Sequence, residues 1–261
     1  MSESKPLAGR SALVTGSSTG IGRAIASQLA RQGASLVLHG RTPSNRLQET
    51  ADSIRQLGGG VSWLTADFSS IEQLQSFLGE AWELNGGIDI LVNNAGVDVL
   101  TGEFSNESFA DKFERLWQVD VRATLLACRI VGRNMKQQNR PYRRSILNIG
   151  WDQAWQGMAG DAGEMFAASK GAIMSLTKSL AQSLAPEVRV NCLAPGWIKT
   201  KWGESASTKW SDRAARESLM NRWGTPSDIA NVAAFVSSDQ ADFISGQVIP
   251  VNGGFRYFCE S

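Results

Sequence analysis

In Thr15 to Gly22, read TGSSTGIG, residue type and spacing point most directly to chemistry. Ala12, Leu13 and Val14 read as the end of a short buried strand, after which the chain turns tightly into a helix stopped at Gly33. Gly16, Gly20 and Gly22 fall where backbone must turn sharply, approach a ligand closely and pack a helix on a sheet. A helix start left open there aims N–H groups and the positive end of the peptide dipoles at a phosphate. The expected chemistry is the grip on a dinucleotide; the plainer alternative is three turn glycines with no ligand. Asp152 is a second candidate, because a carboxyl between Trp151 and Trp155 would be desolvated, its pKa raised and its neutral acid form kept near neutral pH. Its plainer reading is a loop carboxylate in water or a cap for the next helix.

Composition narrows the partners. The 261 residues suit one large α/β unit, and 26 basic against 25 acidic residues give neither a basic surface for nucleic acid nor an acidic disordered tail. Cys128, Cys192 and Cys259 have no metal-like spacing, and the opening MSESKPLAGR lacks the apolar core of a signal peptide. No apolar run approaches the roughly 20 residues of a membrane span. The expectation is a cytoplasmic protein that meets a small-molecule substrate, with no metal, nucleic acid or membrane.

The elements that must hold these residues alternate. Strands are expected over Ala34–His39, Val61–Ala66, Ile88–Val92, Ser145–Ile149, Val188–Leu193 and Gln247–Val251. Helices are expected over Thr42–Leu57, Ile71–Leu84, Phe109–Met135, Phe166–Leu184 and Ile229–Val236. Such alternation demands parallel strands with right-handed helical crossovers, hence an α/β doubly wound sheet of about seven strands with helices on both faces. One domain over 1–261 is expected, with an inserted substrate-covering lobe around 199–223 at the carboxyl ends of the strands.

Directly after the fourth strand the chain reads NNAG, Asn93 to Gly96, and here it resembles the short-chain dehydrogenase/reductase family. The resemblance covers nearly the whole chain: TGxxxGIG at Thr15 to Gly22, the acidic Asp67 after the third strand, PGxxxT at Pro195 to Thr200, and a similar closing stretch from Arg222 to Gly254. It implies a Rossmann-type fold and a nicotinamide cofactor. By resemblance Gly16, Ser18, Ile21 and Gly22 line the phosphates, with Gly20 in the same turn. Asp67 and Phe68 flank adenine, Asn94, Ala95 and Gly96 line the ribose side, and beyond the Pro195–Gly196 turn Ile198 and Thr200 hold the carboxamide. The second strand ends in His39, Gly40 and Arg41, with no carboxylate to bind a free ribose 2′-hydroxyl and one arginine able to meet a 2′-phosphate. NADP(H) is therefore favoured over NAD(H), and His39, the only histidine, reads as a strand-end residue near the adenosine.

The catalytic stretch departs from the family. Its tyrosine and lysine, one helical turn apart, are here Phe166 and Lys170, so the phenol that protonates the developing alkoxide is absent while the lysine for the ribose remains. The family serine, three residues after Asn148, is replaced by Trp151 with Asp152 next, and the helix asparagine falls on Asp120. Pteridine reductases, which the chain resembles in part, place an aspartate at the serine but keep the tyrosine. Two readings stand. In one, an NAD(P)(H)-dependent oxidoreductase reduces a carbonyl or imine, with Asp152 as acid beside Lys170 and Asn148. In the other, an NADP(H)-binding pseudoenzyme serves structure or regulation. Tyr142 lies at the amino edge of the sheet, and Tyr257 follows the last strand. Trp151, Trp155, Phe166, Trp197 and Trp202 would wall a pocket for a ring-containing substrate. Family members pair their long helices, so a homodimer or homotetramer is expected; the apolar face with Ala123, Ala127 and Ile130 suits such pairing, and a buried intrachain face would look identical.

Overall fold

The computed structural model describes residues 5–200, 203 and 208–256. Seven parallel strands, β1 (Ser11–Val14), β2 (Ser35–Gly40), β3 (Val61–Thr65), β4 (Ile90–Asn93), β5 (Arg144–Ile149), β6 (Val188–Pro195) and β7 (Val248–Val251), form one sheet in the order β3-β2-β1-β4-β5-β6-β7. The expected doubly wound sheet is the observed one. Its order reverses between β1 and β4, and the crevice outside the carboxyl ends at such a point is where ligands bind.

Side chains along each strand alternate between two cores, as a period of two requires. Ala12, Val14, Leu36, Leu38, Ile90, Val92 and Leu147 point to one face, under α1 (Gly20–Arg31), α2 (Asn45–Gln56) and a late helix Pro226–Ser237. Leu13, Val37, Leu91 and Ile146 point to the other, under α3 (Ile71–Leu84), α5 (Ala123–Gln137) and α7 (Asp161–Leu184). Between them run the short helices α4 (Phe109–Leu116) and α6 (Gln153–Gln156), and α8 (Thr208–Glu217) precedes the late helix, α9. Thr225 and Asp228 cap α9 reciprocally, with Pro226 in its first turn, so this helix begins where its sequence dictates.

Two elements differ from expectation. The single helix foreseen over Phe109–Met135 is interrupted by a wider π-type segment, Trp117–Arg122, between α4 and α5. The helix foreseen from Phe166 begins earlier, at Asp161, with Asp161 and Glu164 placed at its electropositive start. Of the two readings of the apolar helix face, the intrachain one describes Ala123 and Ala127, which are buried in this chain's own core with Ile130 packed against it.

Candidate active site

The turn from β1 into α1 has no room for side chains. Gly16 has φ +62°, and a Cβ there would lie 2.8 Å from the Ala95 Cα; a Cβ on Gly22 would lie 2.3 Å from the Gly16 oxygen. Thr19, ahead of α1, makes no side-chain cap, whereas Ser44 and Ser70 cap α2 and α3. The first turn of α1 thus keeps N–H groups for an anion. Asn94 fixes the turn by donating its Nδ2 to the oxygens of Thr15 and Gly16, both at 3.0 Å.

His39 locks the same turn from β2. It is buried and stacked on Phe68 with ring centroids 4.0 Å apart. The Gly16 N–H donates to its Nδ1 at 3.1 Å, so the ring proton sits on Nε2 and points to the Ala66 oxygen at 3.0 Å. Burial pushes the imidazole pKa down to about 4, against the pull of the Ala66 carbonyl and of Asp67. Neutral His39 braces the nucleotide turn and performs no proton transfer at the far end of the cleft.

From this turn a cleft of about 1160 Å³ runs across the strand ends. Ser18, Gly20, Ile21, Arg41, Asp67 and Phe68 line one end of it; Asn94, Ala95 and Gly96 line its middle. Lys170, Pro195, Gly196, Ile198 and Thr200 line it further on, where Trp151, Phe166 and Trp197 form an aromatic wall. Gly22 stands behind the turn rather than on the wall, and Gly16 is on it. Fifteen of the sixteen residues assigned to the cofactor therefore share one surface with three of the five assigned to the substrate. Phe166 and Lys170, one turn apart on α7, both face it.

Lys170 donates to Asp120 Oδ2 at 2.9 Å, and Asp120 Oδ1 accepts the Val97 N–H at 3.0 Å. Asp120 reaches both because it lies in the π segment, and a Cβ on Gly96 would meet its carboxylate at 2.9 Å. The sequence marked Asp120 as an altered position without showing this ion pair, which needs the helix interruption to form. Met158, Ala162, Trp210 and Trp223 also line the cleft. Phe104 belongs to the rim beside Arg41, whose guanidinium is 3.7 Å from Glu103.

Three of the assigned residues, Asn148, Asp152 and Trp155, do not line the cleft. Asn148 is fully buried and off the cleft: it accepts from Asn93 Nδ2 at 2.9 Å and donates to Thr177 Oγ1 at 3.0 Å, tying β4 and β5 to α7. Asp152 is buried, with burial raising its pKa to about 6, as expected; Asn252 and the local backbone N–H groups pull it down and the Glu217 charge pushes it up. Yet its carboxyl faces Asn252 Nδ2 at 3.0 Å, behind Gly196, and does not line the cleft. Trp155 is 53% exposed and off the wall. Trp202, like Tyr257, lies outside the described residues. Tyr142 packs under Arg10, 4.2 Å from its ring centre, well outside the cleft.

The chain matches the family described as Enoyl-(Acyl carrier protein) reductase over residues 16–256. It is 33% identical over 256 residues to the dehydrogenase/reductase SDR family member 4 of Sus scrofa, covering 96% of this chain and 88% of that protein. The chain belongs to the short-chain dehydrogenase/reductase family. It is also 36% identical to the 3-oxoacyl-[acyl-carrier-protein] reductase FabG of Aquifex aeolicus over 253 residues, 95% of this chain and 98% of the other. Among solved structures, 7α-hydroxysteroid dehydrogenase complexed with NADH and 7-oxo glycochenodeoxycholic acid superimposes with a TM-score of 0.86 at 30% identity, over 98% and 97% of the two chains. The family is one of NAD(P)(H)-linked oxidoreductases acting on small molecules, and the cleft fits such a cofactor: glycines where phosphates approach, a lysine past the ribose position, and length enough for a substrate beyond.

Proposed function

We propose that the protein is an NADP(H)-linked oxidoreductase acting on a carbonyl or imine of a ring-containing small molecule. The observation that carries this reading is the continuity of one cleft from Arg41 through Lys170 to the wall of Trp151, Phe166 and Trp197. A bound nicotinamide would supply or accept the hydride. The glycine turn and the α1 start would hold its phosphates, Arg41 a 2′-phosphate, and Lys170 the ribose hydroxyls. Arg41 is more than half exposed and only loosely held by Glu103, so that pair offers little resistance to a phosphate. The aromatic wall excludes water and favours flat rings.

The proton source is the point on which the sequence reading shifts. Asp152 has the pKa of an acid useful near neutrality but is separated from the cleft by Gly196, and geometry precedes pKa in choosing a donor. We therefore move it from direct acid to a carboxylate behind the wall. That the described residues of the wall put no phenol or free carboxylic acid beside Phe166 and Lys170 is also what favours the second reading, an NADP(H)-binding protein without turnover. A homodimer or homotetramer in the cytoplasm belongs to the same proposal; the free, buried thiols of Cys128 and Cys192 suit a reducing compartment.

Fluorescence titration and NADPH oxidation over a panel of bicyclic ketones and cyclic imines test this. NADPH should bind more tightly than NADH, and at least one panel member should be turned over. Tight NADPH binding with no oxidation of any member would select the second reading, and tighter NADH binding would reject the role given to Arg41.

A further inference from the structure

A carbonyl and an iminium cation ask different things of a hydride donor's site. The carbonyl oxygen gains negative charge and must be protonated or held by a donor, whereas the iminium carbon accepts hydride with no proton needed. On the cleft wall the position of the family phenol is a benzene ring, Phe166, with Trp151 set edge-on to it at 6.3 Å between centroids. Every carboxylate among the described residues of the wall already has a partner: Asp67 accepts from the Ser69 N–H, Asp98 from the Leu100 and Thr101 N–H groups, and Asp120 from Val97 and Lys170, while Glu103 is ion-paired with Arg41 at 3.7 Å. His39 is committed at the opposite end.

The charges at this end are arranged for a cation. Asp120 offsets the Lys170 ammonium at 2.9 Å, and Glu217, which also accepts from Trp197 Nε1, offsets Arg213 at 2.6 Å. Asp152 remains: among the described residues it has no cationic partner, its side-chain hydrogen bond comes from Asn252 alone, and its carboxyl lies directly behind Gly196 of the cleft wall, 3.1 Å from where a Cβ on that glycine would stand. Two pairs cancel and one carboxylate is left over at an end of the cleft whose aromatic faces themselves attract cations.

Resting on the oxidoreductase reading above, we propose that the substrate is a ring-held iminium cation, bound against Trp151 and Phe166 with Asp152 as its buried counter-charge. The iminium carbon receives the hydride and its two electrons from the reduced nicotinamide, and the C=N π pair becomes the nitrogen lone pair of the amine. One positive charge is present before and after, moved from the substrate nitrogen to the nicotinamide ring. No proton is transferred, so the loss of the phenol costs this substrate nothing, and the counter-charge serves both ends of the reaction.

Two measurements decide it. By equilibrium dialysis against the cofactor-free protein, the N-methylisoquinolinium cation should bind about 10-fold or more tightly than methylnaphthalene, its neutral isostere. Asp152→Asn should erase most of that difference while methylnaphthalene binding, unchanged, reports an intact fold. Equal binding of the two probes to the unaltered protein overturns the proposal, whether or not the variant folds. With NADPH and after subtraction of the protein-free rate, N-methyl-dihydroisoquinolinium should be reduced about 10²-fold or more faster than tetralone, which has the same bicyclic frame. A tetralone rate equal to or above the iminium rate overturns the iminium assignment and leaves the oxidoreductase reading standing. Reduction of neither, with NADPH bound, overturns both.

Discussion

Arg41 directly follows β2 with its guanidinium half in solvent, 3.7 Å from Glu103 and 6.0 Å from the centre of the Phe104 ring. Arg41→Glu should invert the cofactor preference by replacing charge-assisted hydrogen bonds to a 2′-phosphate with repulsion, weakening NADPH by about 10²-fold while leaving NADH nearly unchanged. An equal loss for both cofactors would mean that the side chain acts on the adenosine pocket as a whole. His39 and Asp152 make a second residue-scale prediction, because they titrate in opposite senses. His39 falls from 6.5 to about 4 on folding, so on acidification the unfolded chain takes the proton first and stability is lost between about 6.5 and 4. Asp152 rises from 3.8 to about 6, so the folded chain takes the proton first and stability is gained as pH falls from about 6 toward 4. Each effect is bounded at roughly 3 kcal/mol by 1.36 kcal/mol per pKa unit, and the two nearly cancel in the natural chain. Urea midpoints across pH 4.5 to 7 should therefore fall more steeply toward acid in Asp152→Asn and rise toward acid in His39→Gln; parallel curves would contradict both assignments. The sequence led to the expectation that Asp152 is desolvated, and it is buried with a raised pKa. Which side of the Gly196 backbone its carboxyl takes was not legible, since that is set by Asn252, 100 residues away in sequence.

At the scale of elements the alternation of strands and helices was readable because the central strands are short apolar runs, buried on both faces between two cores, and the segments between them carry apolar residues at helical spacing. The β1–α1 turn was readable for a different reason: its glycines have no substitutes. A Cβ on Gly22 would meet the Gly16 oxygen at 2.3 Å and Asn94 Nδ2 at 2.4 Å, whereas one on Gly79, exposed on α3, meets nothing within 4 Å. Gly22→Ala should then destabilise the fold by about 1–3 kcal/mol and lower NADPH affinity, as overpacked contacts do. Gly79→Ala should stabilise by about 0.5–1 kcal/mol with binding unchanged. Thermal unfolding of the two variants side by side checks this, and equal effects would show that the turn tolerates a side chain. The π segment was not readable, because Trp117–Arg122 has the composition of ordinary helix. Its geometry follows from tertiary demands on Asp120, which must meet both Val97 and Lys170.

The whole molecule is a nucleotide-binding α/β sheet whose family membership is plain. Family motifs located the cofactor cleft because they describe backbone, which the fold preserves. They misassigned Asn148, because its buried hydrogen bonds to Asn93 and Thr177 serve packing of the sheet against α7. No helix among the described residues is long and apolar enough to cross a membrane. The pairing face could not be read from the sequence, since Ala123 and Ala127 suit an intrachain core as well as a contact between copies.

The central claim is that the cleft is a reductase site with its cofactor grip and lysine in place, and that the hydroxyl missing at position 166 is what limits ketone reduction. Restoring it is the most direct measurement: Phe166→Tyr places a phenol one helical turn from Lys170 on the cleft wall. Steady-state NADPH oxidation with a bicyclic ketone should rise by about 10²-fold over the unaltered protein, within the range a positioned general acid supplies. A variant that binds NADPH as tightly as its parent and shows no gain with any ketone would contradict the account.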